Sequence, residues 1–227
     1  MDYSYLDRNI DSVRRDIDTA CEGRSVVMLA AVKSAEVDEI NYIHNELGVN
    51  DIGENRVQQL LSRYDALDKE GLRLHFIGHL QTNKVKYIID KVCMIHSLDS
   101  ERLAREIDLQ AKKHGLVMKV LIEINSGREE NKDGVMPEDA EALCLALCKY
   151  ENIELCGFMT MAPRCEDKSE YVKYFTEIRR LADDLWKSKL GKDGEPILSM
   201  GMSGSYREAI ACGSTMVRIG SRLFVKS

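Results

Sequence analysis

Lys33 closes the apolar run Val26-Val27-Met28-Leu29-Ala30-Ala31-Val32. A lysine at the lip of a buried strand usually snorkels to solvent. The same apolar approach can instead strip water from the amine, lower its pKa and leave it nucleophilic toward a carbonyl, the chemistry that makes a Schiff base. Taken alone, Lys33 leaves both readings open.

Two glycine-bearing segments late in the chain point to an anion. Ser199-Met200-Gly201-Met202-Ser203-Gly204-Ser205 opens a short helical pattern, and Val217-Arg218-Ile219-Gly220-Ser221 closes an apolar one. Glycines let backbone N–H groups approach an anion, serine hydroxyls add donors, and a helix start adds a positive dipole. Either segment alone reads as a turn; together they describe a phosphate site. Arg218 lies inside the apolar run, where alternation turns it away from Val217 and Ile219 into a polar pocket or a buried ion pair. A guanidinium beside a pyridine nitrogen is one of two recurring arrangements for pyridoxal 5′-phosphate (PLP), the other being an aspartate.

Other polar residues carry less. His75 and His79 are four apart, but without a nearby acid triplet they read as packing or pocket-wall residues, and no metal site is expected. Asn55 can bond a ring oxygen or cap the helix that follows it. Asp183-Asp184 reads as a solvated helix face and Asn131-Lys132-Asp133-Gly134 as a surface turn. Of the seven cysteines, Cys144 and Cys148 sit one helical turn apart among apolar residues, as buried free thiols.

The elements that must position these groups follow from periodicity. Apolar runs at 26–32, 49–53, 74–77, 94–97, 117–124, 155–159, 197–200 and 216–219 read as strands. Helical patterns fall at 37–47, 55–67, 83–91, 100–114, 137–150, 169–187 and 205–212, and one at 5–22 precedes the first strand. Ser100-Glu101 and Ser169-Glu170 can supply caps, and Pro137 suits a first helical turn. Continuous apolar strands alternating with helices imply burial on both faces, in a closed (β/α)₈ barrel or an open doubly wound sheet. The barrel is the expectation, because Lys33, Gly53-Glu54-Asn55, the His75–His79 stretch, Asn125, Thr160, Ser203 and Gly220-Ser221 all follow strands and would share its carboxyl-end face.

Composition excludes several classes. A net charge of −6, with Lys and Arg interleaved among acids, disfavours a nucleic-acid binder. No apolar run is long enough to span a membrane, and residues 1–5 lack a signal pattern, so a cytoplasmic protein is expected.

Longer motifs carry a resemblance. Gly53-Glu54-Asn55-Arg56-Val57-Gln58, His75-Phe76-Ile77-Gly78-His79-Leu80-Gln81-Thr82-Asn83-Lys84, Gly157-Phe158-Met159-Thr160-Met161-Ala162-Pro163 and Met200-Gly201-Met202-Ser203 occur in order. With Gly213-Ser214-Thr215-Met216-Val217-Arg218-Ile219-Gly220, they resemble the pyridoxal phosphate homeostasis protein family, which is similar to the N-terminal barrel of bacterial alanine racemases. The resemblance implies PLP in a Schiff base with Lys33, phosphate contacts from Ser203, Gly220 and Ser221, Arg218 at the pyridine nitrogen, and Met202 and Asn55 lining the cofactor. The chain departs from the family pattern around Lys33 (Val32, Ala35), after Ser203 (204–208) and at its end (224–227).

The resulting expectation is a single TIM-type barrel domain over residues 1–227 with an extra N-terminal helix. It would be a monomeric, non-catalytic PLP carrier or buffer in PLP homeostasis, with PLP-dependent apoenzymes as partners and neither nucleic acid nor membrane among them. The first rival is a PLP-dependent racemase-like enzyme, which needs a base on each face of the substrate; Tyr206 is the candidate opposite Lys33. The second is a barrel for another phosphorylated metabolite, with Lys33 as an ion-pair donor.

Overall fold

The computed structural model describes residues 2–226; Met1 and Ser227, which the terminal stretches above include, lie outside them. The strands are β1 (Val27–Ala31), β2 (Asp51–Glu54), β3 (Arg73–Phe76), β4 (Met94–Leu98), β5 (Met118–Ile124), β6 (Ile153–Thr160), β7 (Ile197–Met202) and β8 (Met216–Ile219). Helix α1 (Ser4–Ala20) precedes β1. Helices α2 (Val37–Asn45), α3 (Val57–Arg63), α4 (Val85–Ile88), α5 (Glu101–Lys113), α6 (Ala140–Leu147), α7 (Lys168–Asp183) and α8 (Tyr206–Ala211) connect successive strands. Every neighbouring pair is parallel, and β8 returns to β1 with Val27 opposite Met216 and Ala30 opposite Ile219. The sheet is therefore a closed barrel, not an open one. No helix among the described residues is long and apolar enough to cross a membrane.

Helix positions follow the apolar spacing. Leu6, Ile10, Val13 and Ile17 bury one stripe of α1, and Leu103, Ala104, Ile107 and Ala111 one stripe of α5. Ser100 caps α5 by accepting from the Leu103 N–H at 3.3 Å, as its position suggested. The cap of α7 is Asp167 and not Ser169: the Asp167 carboxylate accepts from the Ser169 N–H at 2.9 Å. The pattern at 83–91 shrinks to a 3₁₀ turn and the single turn of α4, and 55–67 to α3 plus a 3₁₀ turn. Cys144 is buried and free as expected, whereas Cys148, on the outer side of the same region, is exposed. Asp184 is exposed, but Asp183 pairs with Arg179 at 2.8 Å.

The two faces of each strand differ in chemistry. Outward side chains such as Ile52, Phe76, Ile95, Val120, Phe158, Leu198 and Val217 join the helices in one continuous apolar core. Inward side chains form only small apolar groups, Leu29 with Ile77 and Met216, and Met94 with Leu121 and Met159. The rest of the barrel interior is polar: Asp51, His75, His96, Glu123, Ser199 and Arg218 are all buried. Interior positions of small barrels are usually filled by branched aliphatics, so these six must satisfy one another or a ligand.

Candidate functional site

Lys33 lies in the turn after β1, two residues beyond the strand's end, and its side chain is exposed. The apolar run before it therefore does not desolvate the amine. What the fold supplies is a fixed backbone. Arg63 on α3, in a buried ion pair with Glu54, donates to the carbonyls of Val32 at 3.2 Å and Ala35 at 3.0 Å. Gln59, one turn earlier, donates to the Lys33 carbonyl at 2.9 Å. The turn is thus clamped from below, leaving only the side chain free to reach. Buried charge pairs of this kind cost several kcal/mol when one partner is removed, so Arg63 and Glu54 are essential to the clamp.

Lys33 and Asn55 line one cavity of about 600 Å³, with Gly78, His79 and Met161 along its wall. Asn55 does not cap α3: Arg56 holds the cap position, and the Asn55 Oδ1 is buried with no hydrogen-bond partner among the described residues. Of the two readings of Asn55, a group waiting for a ligand fits and a capping group does not.

On the other side of Lys33, the Ser203 Oγ accepts from the Gly220 N–H at 3.2 Å and so ties the loop after β7 to the loop after β8. Gly201 has φ +92°, and a Cβ there would stand 2.5 Å from the Ala209 Cβ, so glycine is required for β7 to turn tightly into α8. Met202 is in register with Arg218 and is exposed. A Cβ at Gly220 would stand 3.0 Å from the Ala31 carbonyl oxygen, which brings the β8 loop against the end of β1. Ser221 is exposed in the turn that follows. The seven candidate residues thus come from four adjacent strand ends, in the barrel order β7, β8, β1, β2. Fold closure brings together positions as far apart as Ala31 and Gly220.

Arg218 points into the barrel just beneath this arc and is buried. Its Nη1 donates to the Ser199 carbonyl at 2.5 Å and to the Ser199 Oγ at 2.9 Å, and its Nη2 donates to the Thr160 carbonyl at 2.9 Å. These bonds use three of the five N–H groups a guanidinium carries, and none uses Nε. Burial lowers the Arg218 pKa to about 10, with Glu123 opposing the shift. Glu123 itself is pushed up to about 8, by burial first and then by Asp133, with Arg218 pulling the other way. The raised pKa of Glu123 favours its neutral form, and among the described residues the Arg218 guanidinium is held by two carbonyls and the Ser199 hydroxyl and by no ion pair. Such a cation favours an acceptor or anion placed above it.

Two sequence readings change and one is sharpened. Tyr206 is not free at the rim: its hydroxyl lies 2.5 Å from Asp16 on α1 and from Arg222, and its ring is buried between α1 and α8. Burial, then the bond to Asp16, raises its pKa. His75 is the packing residue of its two readings, set among polar groups inside the barrel, within 3.0 Å of both Asp51 and His96. The 131–134 segment is a surface turn that also folds over the barrel mouth, where Asp133 pairs with His79 at 2.9 Å and Asp99 lies close by. His79 thus has the acid neighbours that sequence spacing did not show, because they come from other loops. Glu123, Ser199 and His96 were missed as interior groups. The available signal was parity: Glu123 shares the inward side with Leu121, and Ser199 with Ile197.

Comparison with known proteins gives one answer. A family model described as the alanine racemase N-terminal domain matches residues 1–227. The pyridoxal phosphate homeostasis protein of Aquifex aeolicus is 41% identical over 220 residues, 96% of this chain and 95% of that one. PipY of Synechococcus elongatus PCC7942, solved with PLP bound, is 26% identical, with a TM-score of 0.83 over 97% of this chain and 100% of that one. Alanine racemase of Clostridium difficile 630 shares the fold at 19% identity and a TM-score of 0.74; the match covers 99% of this chain but 57% of the racemase. Matched along its whole length, the chain belongs to the alanine racemase N-terminal domain family and, within it, to the pyridoxal phosphate homeostasis proteins.

Proposed function

We propose that this chain binds PLP at the carboxyl-end mouth of its barrel and carries it, as a homeostasis protein, without turning it over. The observation that carries the reading is the arc of four adjacent strand ends that sets an accessible amine, an unpartnered amide oxygen, a serine–glycine cradle and a guanidinium with spare N–H groups around one mouth. The relatives' names, and the bound cofactor of PipY, support it.

PLP brings an aldehyde, a pyridine nitrogen and an anionic phosphate. Lys33 supplies the amine for covalent attachment, on a turn clamped by Arg63 and Gln59. The hydroxyls of Ser203 and Ser221 hold the phosphate, and the Gly220 N–H, shared with the Ser203 Oγ at 3.2 Å, supports the cradle from the β8 loop. Asn55 and Met202 flank the ring. Arg218 donates to the ring nitrogen and opposes its protonation: two cations at roughly 3–4 Å and an effective dielectric near 20 repel by on the order of 4 kcal/mol, about three pKa units. Arg218 therefore weakens the cofactor as an electron sink.

Lys33 serves one face of a bound amine, and Tyr206, the candidate for the opposite face, is occupied by Asp16 and Arg222. Two-sided proton transfer thus lacks its second base at that position. Delivery of PLP to apoenzymes in the cytoplasm, by residues 1–227 acting as one domain, is the role this arrangement suits.

The PLP-loaded protein keeps its visible absorption band through gel filtration, and α-deuterium exchange of L- or D-alanine, followed by NMR, runs no faster than in buffer with free PLP. Exchange well above that background overturns the carrier reading, and loss of the band on the column overturns PLP binding.

Ser203→Ala raises the PLP off-rate by more than a phosphate contact alone predicts. The hydroxyl both faces the phosphate, at about 1.5–3 kcal/mol for a bond to a charged group, and staples the two loops through Gly220. Ser221→Ala loses only the phosphate contact, so its off-rate rises less. Equal off-rates for the two variants would remove the staple from the account.

A further inference from the structure

The polar side chains inside the barrel are not scattered but lie end to end. Arg218 donates through Nη1 to the Ser199 Oγ at 2.9 Å. The Ser199 Oγ is 3.1 Å from the His96 Nδ1, the His96 Nε2 is 3.0 Å from the His75 Nδ1, and the His75 Nε2 is 3.0 Å from the Asp51 Oδ1. Arg73 then closes the far end with two bonds to the Asp51 carboxylate, at 2.8 and 2.5 Å. His96 and Ser199 are fully buried, and Asp51, His75 and Arg218 nearly so. The chain crosses the interior from the amino ends of β2 and β3 to the mouth. Its lower end meets a second cavity, of about 250 Å³, lined by Arg14, Asp18, Asp51 and Arg73.

Hydrogen-bond accounting fixes its direction. An ionised Asp51 only accepts, so the His75 Nε2 carries a hydrogen. With both rings neutral, the His75 Nδ1 accepts from the His96 Nε2–H, the His96 Nδ1 accepts from the Ser199 hydroxyl, and the Ser199 Oγ accepts from Arg218. Every hydrogen then has an acceptor. In the reverse sense the His96 Nδ1–H would point at the Ser199 Oγ, and the Ser199 hydroxyl hydrogen would be stranded in a fully buried place. The charges agree. Burial would raise the Asp51 carboxyl, but bonds from His75 and Arg73 bring it down to about 2, and burial holds the His96 imidazole well below 6.5.

We propose that Arg218, Ser199, His96, His75 and Asp51 form one hydrogen-bond relay, polarised toward Asp51 with both histidines as Nε2–H tautomers, that positions the Arg218 guanidinium under the ligand. Ser199, His96, His75 and Asp51 are positioning residues acting through Arg218, and their effect on the cofactor rests on the reading that Arg218 faces PLP. The relay spans the barrel, so a change at its lower end is felt at the mouth without any contact there.

Two measurements test it. In the PLP-free protein labelled with ¹⁵N-histidine, at about pH 8, long-range ¹H–¹⁵N spectra show Nε2–H tautomers for His75 and His96. An Nδ1–H tautomer on either ring overturns the relay. In the loaded protein, His96→Phe moves the visible band and speeds PLP release about tenfold, the loss of one hydrogen bond in a charged chain. His96→Gln keeps the wild-type band and rate, because its Oε1 accepts from Ser199 and its Nε2–H donates to His75. Identical behaviour of the Phe and Gln variants overturns the positioning role. Arg218→Lys separates the underlying reading: if the band ignores it while both tautomers stand, Arg218 does not face PLP and the positioning proposal falls with that reading.

Discussion

Lys33→Ala protein, incubated with PLP and reduced with borohydride, is expected to carry no covalent label, whereas the wild type carries it on one tryptic peptide, the one that contains Lys33. The effect is all or none because one amine supplies the bond. The fold should not notice. Lys33 is exposed in a turn whose carbonyls, not its side chain, hold it to Arg63 and Gln59. Truncating such a side chain changes stability by about 0.5 kcal/mol or less. Thermal melts of the PLP-free proteins should therefore superimpose, and the variant should still bind PLP weakly through Ser203, Gly220 and Arg218. A label on any other lysine, or a label that survives the substitution, would sink the assignment of Lys33.

Glu123→Gln should stabilise the PLP-free protein at alkaline pH and leave it unchanged in acid. Glu123 is buried inside the barrel, and its pKa rises from 4.5 to about 8, mainly by burial, with Asp133 and Asp99 adding to the rise and Arg218 opposing it. A raised pKa means that the folded state holds the proton more tightly than the unfolded one. The stabilisation is complete below pH 4.5 and is lost as pH climbs through 8. The whole shift corresponds to on the order of 4–5 kcal/mol at 1.36 kcal/mol per pKa unit. Glutamine keeps the shape and cannot ionise. Urea melts at pH 4 and 8.5 measure the difference; the variant-minus-wild-type gap should be near zero at the lower pH and nearly full at the higher, having opened progressively between 4.5 and 8. A gap of equal size at both values would mean that Glu123 ionises as freely folded as unfolded.

The same residue shows where sequence reasoning stopped. Glu123 lies in Val120-Leu121-Ile122-Glu123-Ile124, an apolar run read only as strand. Alternation states which side chains share a face of the strand, but not whether that face looks into a barrel or onto helices. Only closure, through β8 against β1, makes the inward set a small shared volume in which Glu123 and Arg218 act on one another. His96 is the same case. Alternation sets His96 on the side of Met94 but gives it no partner, because His75 and Ser199 are 21 and 103 residues away.

By itself the sequence determined the alternation of strands and helices, the strand ends that carry Lys33, Asn55, Ser203, Arg218 and Gly220, and the family, because these are local patterns or ordered motifs. It placed Lys33 one step too deep, since an apolar run does not announce where hydrogen bonding to the next strand ends. Tertiary structure decided the rest. It closed the sheet, put β7, β8, β1 and β2 side by side, withdrew Tyr206 to α1, and threaded Asp51, His75, His96 and Ser199 into contact beneath Arg218. The physical reason is the same each time: a pair of residues distant in the chain has no energy until the fold brings the two within hydrogen-bond reach and removes the water between them.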